Sequence, residues 1–305
     1  ATQAQAKYSL ALTPDVGGMH LKLTGGAAPL STNVQGPDLR RSALRACDKA
    51  VSHILGIPGF FDSKIAYVSD LSGNREIYAG DLLFNNVRRL TSDKSNSLYP
   101  RWSPDGAKLL YTGYFNTGFP DIFLLDFASS KRSTVASYKG TNTGAVFSPN
   151  GHYVAMALSS SGNPEIYIAG HDGKNPKRLT RTKALESSPV FSPDSSRLCF
   201  VNDSAGGPQL YEMNIDGSNM RRITRGVSGH CTEPAWNPKR PNLIAFTAAY
   251  GRGFQIALLD NSTGTAQALT AGPGDGIEAC WLNDGRHVVY TQRQGKQSKL
   301  RIFDT

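Results

Sequence analysis

Apolar residues in this chain come in short continuous bursts separated by polar, glycine-bearing links, and the bursts recur in a fixed order. One burst returns six times: IAYV at 65–68, LLYT at 109–112, VAMA at 154–157, LCFV at 198–201, IAFT at 244–247 and VVYT at 288–291. Runs of this length, rich in β-branched and aromatic residues, predict strands covered on both faces. Ahead of five of them stands an aromatic residue, Trp102, Phe147, Phe191, Trp236 or Trp281, at steps of 45, 44, 45 and 45 residues. Each aromatic leads into a turn phrase: SPDG at 103–106, SPNG at 148–151, SPDS at 192–195, NPKR at 237–240 and LNDG at 282–285. Pro presets the first turn angle, Asp or Asn bonds its own backbone, and Gly accepts positive φ.

A further strand follows in six copies: EIYAGD at 76–81, DIFLLD at 121–126, EIYIAG at 165–170, QLYEMN at 209–214, QIALLD at 255–260 and KLRIFD at 299–304. The fourth strand reads RRLT at 88–91, KRLT at 177–180, RRIT at 221–224 and QALT at 267–270, with a degraded copy near Arg132 to Ala136. Its basic residues mark it as an exposed outer edge, where charge discourages pairing with other sheets. Four antiparallel strands per repeat predict a propeller blade, and a single blade cannot bury both of its faces. The expected fold is all-β, a six-bladed β-propeller over residues 63–305, behind an N-terminal segment over residues 1–62. Helical solenoids are set aside, because the apolar residues do not recur at helical spacing.

The first repeat lacks its opening strand and the last stops after its third. Residues 7–24 predict a β-hairpin about a Gly-Gly turn, which either fills that gap or, the preferred reading, belongs to a separate N-terminal piece. Residues 39–55 carry apolar positions at Leu39, Ala43, Leu44, Ala46, Cys47, Val51 and Ile54. Their period predicts one amphipathic helix, N-capped by Asp38 and stopped by Gly56. A hairpin and a helix are too little to fold alone, so the segment is the remnant of a larger α/β domain or packs on the propeller.

Composition narrows the classes. The formal charge of +9 is carried largely by short basic pairs scattered among apolar positions, which reads as a solvated outer surface. The four cysteines show no metal-ligand spacing and read as free thiols. No apolar run is long enough to span a membrane, and the first residue is Ala with no signal segment after it, so any export signal has been removed or left out.

The helix, the junction GIPGFFDSKIAYVSD at 56–70 and the successive WSPDG-type units ending in RLT resemble the TolB family of periplasmic proteins. That resemblance covers about residues 38–305. It implies a six-bladed propeller behind a small α/β domain and a non-enzymatic role as a hub of the Tol-Pal envelope system. It further implies that the propeller holds the peptidoglycan-associated lipoprotein Pal, with TolA bound through a flexible N-terminal segment, here residues 1–7. A monomer without cofactor or metal is expected.

In propellers the links from an outer strand to the next inner strand open at the channel mouth, and binding residues belong there. The resemblance assigns Thr141 and Gly144 in the third repeat and Ser187 in the fourth to the Pal surface, and Asn142 of the same link is a further candidate. His230, Thr232 and Glu233 hold corresponding places in the fifth. Tyr99, Gly144, Ser188, Glu233 and Glu278 share one register, three residues before the blade aromatic. Thr232 and Glu233 serve equally well as braces of their own loop, and Tyr99 as packing. Carboxylates at Glu233 and Glu278 suit a cation, yet Tyr99, Gly144 and Ser188 at the same register break any ring of ligands.

Propeller enzymes are the rival class, either lyases or peptidase-associated modules acting on polysaccharide or peptide. Peptidases of this kind carry GxSxG in a hydrolase domain, and GVSGH at 226–230 lacks the final glycine. A propeller lyase needs converging histidines, whereas the six here fall in unlike registers. Nucleic-acid binding is disfavoured, since no basic platform is interleaved with aromatics.

Overall fold

The computed structural model describes residues 7–26 and 28–305. The stretch assigned above to TolA, residues 1–7, lies outside them except for Lys7. Two compact units are present: one takes Ala1–Ile65 with Gly80–Asn86 and Leu282–Asp284, the other the remainder.

In the first unit β1 (Tyr8–Asp15), β2 (Gly18–Gly25) and β3 (Leu30–Gln35) form an antiparallel sheet with β2 central, followed by α1 (Leu39–Leu55). The hairpin is therefore not a fourth blade strand. Its turn is Val16-Gly17, with Gly17 at φ 75° and Gly18 already paired to Asp15. β3 was not foreseen, because LSTNVQ carries only two apolar residues. Leu12 faces Leu21 and Leu23 faces Leu30 across the sheet, while Met19 and Leu21 of β2 pack on Ala46 and Ala50 of α1.

The helix caps fall where the sequence puts them. Asp38 accepts the Arg41 N–H at 2.7 Å, and Gly56 is left-handed at φ 68°. The buried line differs, however: it runs through Ser42, Ala46 and Ala50, and Leu39 is 50% exposed. Small residues four apart let the helix lie close on the sheet, which outweighs the apolar character of Leu39. The junction after the helix is tied back to it. Asp48 accepts the N–H groups of Phe61 and Asp62, and Asp62 pairs with Arg41 and Arg45.

Among the described residues the repeats form six further sheets. Four have four strands in chain order; the first lacks the inner strand and the last lacks the outer one, as the sequence implies. Inner strands are Ser97–Trp102, Asn142–Phe147, Glu186–Phe191, Cys231–Trp236 and Asp275–Trp281. Alternate residues of one strand serve opposite neighbours. Met156 packs with Leu110 and Ile122 of the preceding sheet, whereas Ala155 and Ala157 pack with Leu198 and Phe200 of the following one. A strand buried on both faces by its siblings has no polar face, and that explains the unbroken apolar bursts.

The turn phrases behave as read: Gly106 N–H donates to the Ser103 carbonyl, and Ser103 Oγ to Asp105. Ser195 holds the slot of Gly106 and Gly151 at φ 63°. The outer phrase needs correction. Only its two basic residues pair as a strand in three repeats, Arg88–Arg89, Lys177–Arg178 and Arg221–Arg222, and its Thr is buried. Thr91, Thr180, Thr224 and Thr270 each accept the N–H of the second residue of the third strand, from Ile77, Ile166, Leu210 and Ile256 at 2.9–3.0 Å. The Thr thus satisfies a donor that so short an outer strand leaves unpaired.

Neighbouring sheets are stitched by backbone. The first N–H of an inner strand donates to the carbonyl just before the third strand of the preceding sheet: Ser97 to Arg75, Asn142 to Pro120, Glu186 to Pro164 and Cys231 to Pro208, at 2.8–3.0 Å. All four cysteines are free thiols. Among the described residues, no helix is long and apolar enough to cross a membrane.

Candidate protein-docking site

Every inner strand breaks register at one point. Pairing slips between Leu98 and Arg101, Thr143 and Val146, Ser187 and Val190, Thr232 and Ala235, and Ile277 and Cys280. Two residues there oppose one on the second strand, which is a β-bulge. The first bulged residue is left-handed each time: Tyr99 at φ 54°, Gly144 at 66°, Ser188 at 51°, Glu233 at 54° and Glu278 at 58°. These are the five residues of the register noted above. Four of them carry a Cβ in a region that costs an L-residue roughly 1–2 kcal/mol. The same strained position recurs in five of the repeats, and a bulge re-aims one side chain each time.

Several of these positions are close together. A Cβ built on Gly144 would lie 3.7 Å from the Ser188 nitrogen and from Pro189 Cδ. Glu233 Oε2 accepts from Thr247 Oγ1 at 2.7 Å and from the Glu278 N–H at 2.9 Å, and that N–H also reaches Thr247 Oγ1 at 3.1 Å. Thr291 Oγ1 donates to Glu278 Oε2 at 3.2 Å, and Thr112 meets Thr143 at 3.3 Å. Water reaches the Glu278 side chain, yet protein encloses it enough that desolvation raises its carboxyl, with the Glu233 charge adding to the rise. The Tyr99 phenol is raised by its enclosure first and then by the charge of Glu278. Arg101 and Arg293 act on Glu278 in the opposite sense, so that arc carries charges of both signs.

The remaining expected residues take different places. Thr141 donates its N–H to Ser159 Oγ at 2.7 Å and is partly exposed. Asn142 is fully buried, and its amide bonds the carbonyls of Tyr138 and Pro120, so it shapes the link from within. Ser187 and Thr232 stand just before their bulges, paired to Val201 and Thr247. The His230 ring lies edge-on to Phe254 at 5.1 Å. Thr112, Thr247 and Thr291 were missed as part of the site. Their signal was in the sequence, as the Thr that ends LLYT and VVYT and stands last in IAFT.

Residues 51–305 match the family model described as TolB beta propeller domain. The chain belongs to the TolB beta-propeller family. Curated relatives named Tol-Pal system protein TolB include one from Desulfosudis oleivorans, 36% identical over 126 residues, and one from Roseobacter denitrificans, 41% identical over 106. Those alignments cover 41% and 33% of this chain but only 28% and 24% of the relatives. Among solved structures, TolB from Acinetobacter baumannii matches at a TM-score of 0.86 and 25% identity, covering 98% of this chain and 77% of that one. An oligogalacturonate lyase in complex with manganese matches at 0.55 and 12% identity, over 98% of this chain and 86% of its own. At that identity the likeness is one of fold alone.

Proposed function

We propose that this TolB-family chain is a non-enzymatic docking hub of a Tol-Pal envelope assembly in the periplasm, and that a Pal-type lipoprotein seats on the ends of its inner strands. The observation that carries the reading is the left-handed bulge in every inner strand, which turns Tyr99, Gly144, Ser188, Glu233 and Glu278 out of the ladder. A rigid scaffold that holds strained residues at one bulge in each of five sheets suits recognition of a protein surface.

Gly144→Asp tests this with little risk to the fold. The space around a new Cβ at Gly144 is ordinary contact, and Asp is among the residues that tolerate left-handed backbone. Surface plasmon resonance against a Pal-type domain should show at least about a tenfold loss, the equivalent of 1.4 kcal/mol. Unchanged affinity in a folded Gly144→Asp protein would place the interface elsewhere.

A further inference from the structure

One junction between sheets differs from the rest. Five residues before each blade aromatic, the inner strand passes the start of the apolar phrase of the preceding third strand, and in four repeats its N–H is bonded to the carbonyl just before that phrase. These facing pairs are Glu76 with Ser97, Asp121 with Asn142, Glu165 with Glu186, Gln209 with Cys231 and Gln255 with Gly276. Only the middle junction has two carboxyls, and both are fully buried at 0% exposure.

Their surroundings supply one positive charge for two negative ones. Arg178 on the outer strand pairs with Glu165, whose carboxylate also accepts the Thr182 N–H at 3.1 Å and Asn163 Nδ2 at 3.5 Å. Glu186 accepts from Thr182 Oγ1 at 2.5 Å, Asn202 Nδ2 at 2.6 Å and Thr180 Oγ1 at 3.4 Å, all neutral groups. Arg181 and Lys183, on the link between the sheets, are exposed, and Asp203 on the neighbouring hairpin accepts the Leu185 N–H. The buried set becomes neutral when the two carboxyls keep one proton, and burying an uncompensated charge is costly.

From this geometry we infer that Glu165 and Glu186 share a single proton and act together as a pH-sensitive latch on the link of residues 181–186. With the proton in place, Thr182 bridges both carboxyls and the Glu186 N–H stays on the Pro164 carbonyl at 2.9 Å. Once the proton leaves, the second charge has no partner, and its escape to water requires the link to lift off. Burial first, and then the nearby Glu165 charge, drive the Glu186 carboxyl up to about 7, which brings the transition into the neutral range. The sign follows from a raised carboxyl: stabilisation is complete below its unfolded value, fades as pH rises, and is gone above about 7. The latch is independent of which partner docks nearby.

Native-state hydrogen exchange on the full chain tests it, at the Thr182 and Glu186 amides and after correction for intrinsic base catalysis. In the wild type, protection should fall by about a hundredfold between pH 4.5 and 7 and then level off. Glu186→Gln should be flat over the same range. If that variant fails to fold, infrared spectra of the wild type decide instead. A protonated-carboxyl band present at about pH 6, absent by about pH 8.5 and retained in Glu278→Gln supports the latch. Absence of that band at the lower pH, or the same pH course in both proteins, overturns it.

Discussion

Replacing Thr224 by Val removes one hydroxyl from a position with no solvent exposure and leaves shape and branching nearly unchanged. That hydroxyl accepts the Leu210 N–H at 3.0 Å and donates to Gln209 Oε1 at 2.8 Å. Gln209 Oε1 keeps a second donor, Arg222 Nη2 at 2.7 Å, so the group orphaned by the change is the Leu210 N–H. An unpaired buried donor costs roughly 1–3 kcal/mol, so Thr224→Val should lose about 2 kcal/mol, or about 4–8 °C in Tm. Thr224→Ser keeps the hydroxyl and loses one methyl, worth about 0.8 kcal/mol. Urea unfolding followed by circular dichroism, with an unchanged m value, measures both. The two explanations of the buried Thr predict opposite orders. If its methyl mattered more than its hydroxyl, Val would be neutral and Ser the worse variant, and that outcome would refute the role assigned to all four of these Thr residues.

The same reasoning makes Thr91→Val more costly than Thr224→Val in that assay, because Thr91 also donates to the Glu76 carboxylate and charged partners are dearer to strand. Phe246 is fully buried opposite the Glu233–Pro234 bulge, and Phe246→Ala should cost about 3–5 kcal/mol in urea unfolding. Asp38→Ala should lose about 1 kcal/mol through the missing cap on α1, read from thermal melts. Asp275 is held below the usual carboxylate range by the Phe254 N–H first and by Arg293 second. Its contribution is present above the unfolded carboxylate value and is lost as pH falls through the lowered one, so acid melts of Asp275→Asn should show a smaller decline than the wild type.

The sequence made the repeat legible because burial on both faces forces unbroken apolar runs, and because Pro, Asp and Gly are among the few residues that fit the tight turns. The helix ends at Asp38 and Gly56 were legible for the same local reason. Other parts were hidden by physics that leaves no residue signature. Tyr99, Gly144, Ser188, Glu233 and Glu278 share a backbone conformation and no chemistry, so their common register was visible and their bulge was not. β3 is polar on its exposed face and short of apolar residues on the other, and its pairing with β2 decides its state. The Thr of the outer phrase was read as strand edge, since nothing in four residues tells a ladder from a hydroxyl that replaces one. The candidate site was legible as a set of links, whereas the second-strand hydroxyls that bind Glu233 and Glu278 appear only when the sheets are brought side by side.

The backbone stitches have a kinetic corollary. Ser97 reaches back to Arg75, Asn142 to Pro120 and Glu186 to Pro164, each a span of 22 residues, so each of these seams closes a short loop. Short loops have a small closure entropy and assemble fast, and a chain growing from the ribosome meets each seam soon after both of its sides have emerged. Assembly can then proceed vectorially, each new module zipping onto its predecessor, without waiting for distant parts of the polypeptide to find one another.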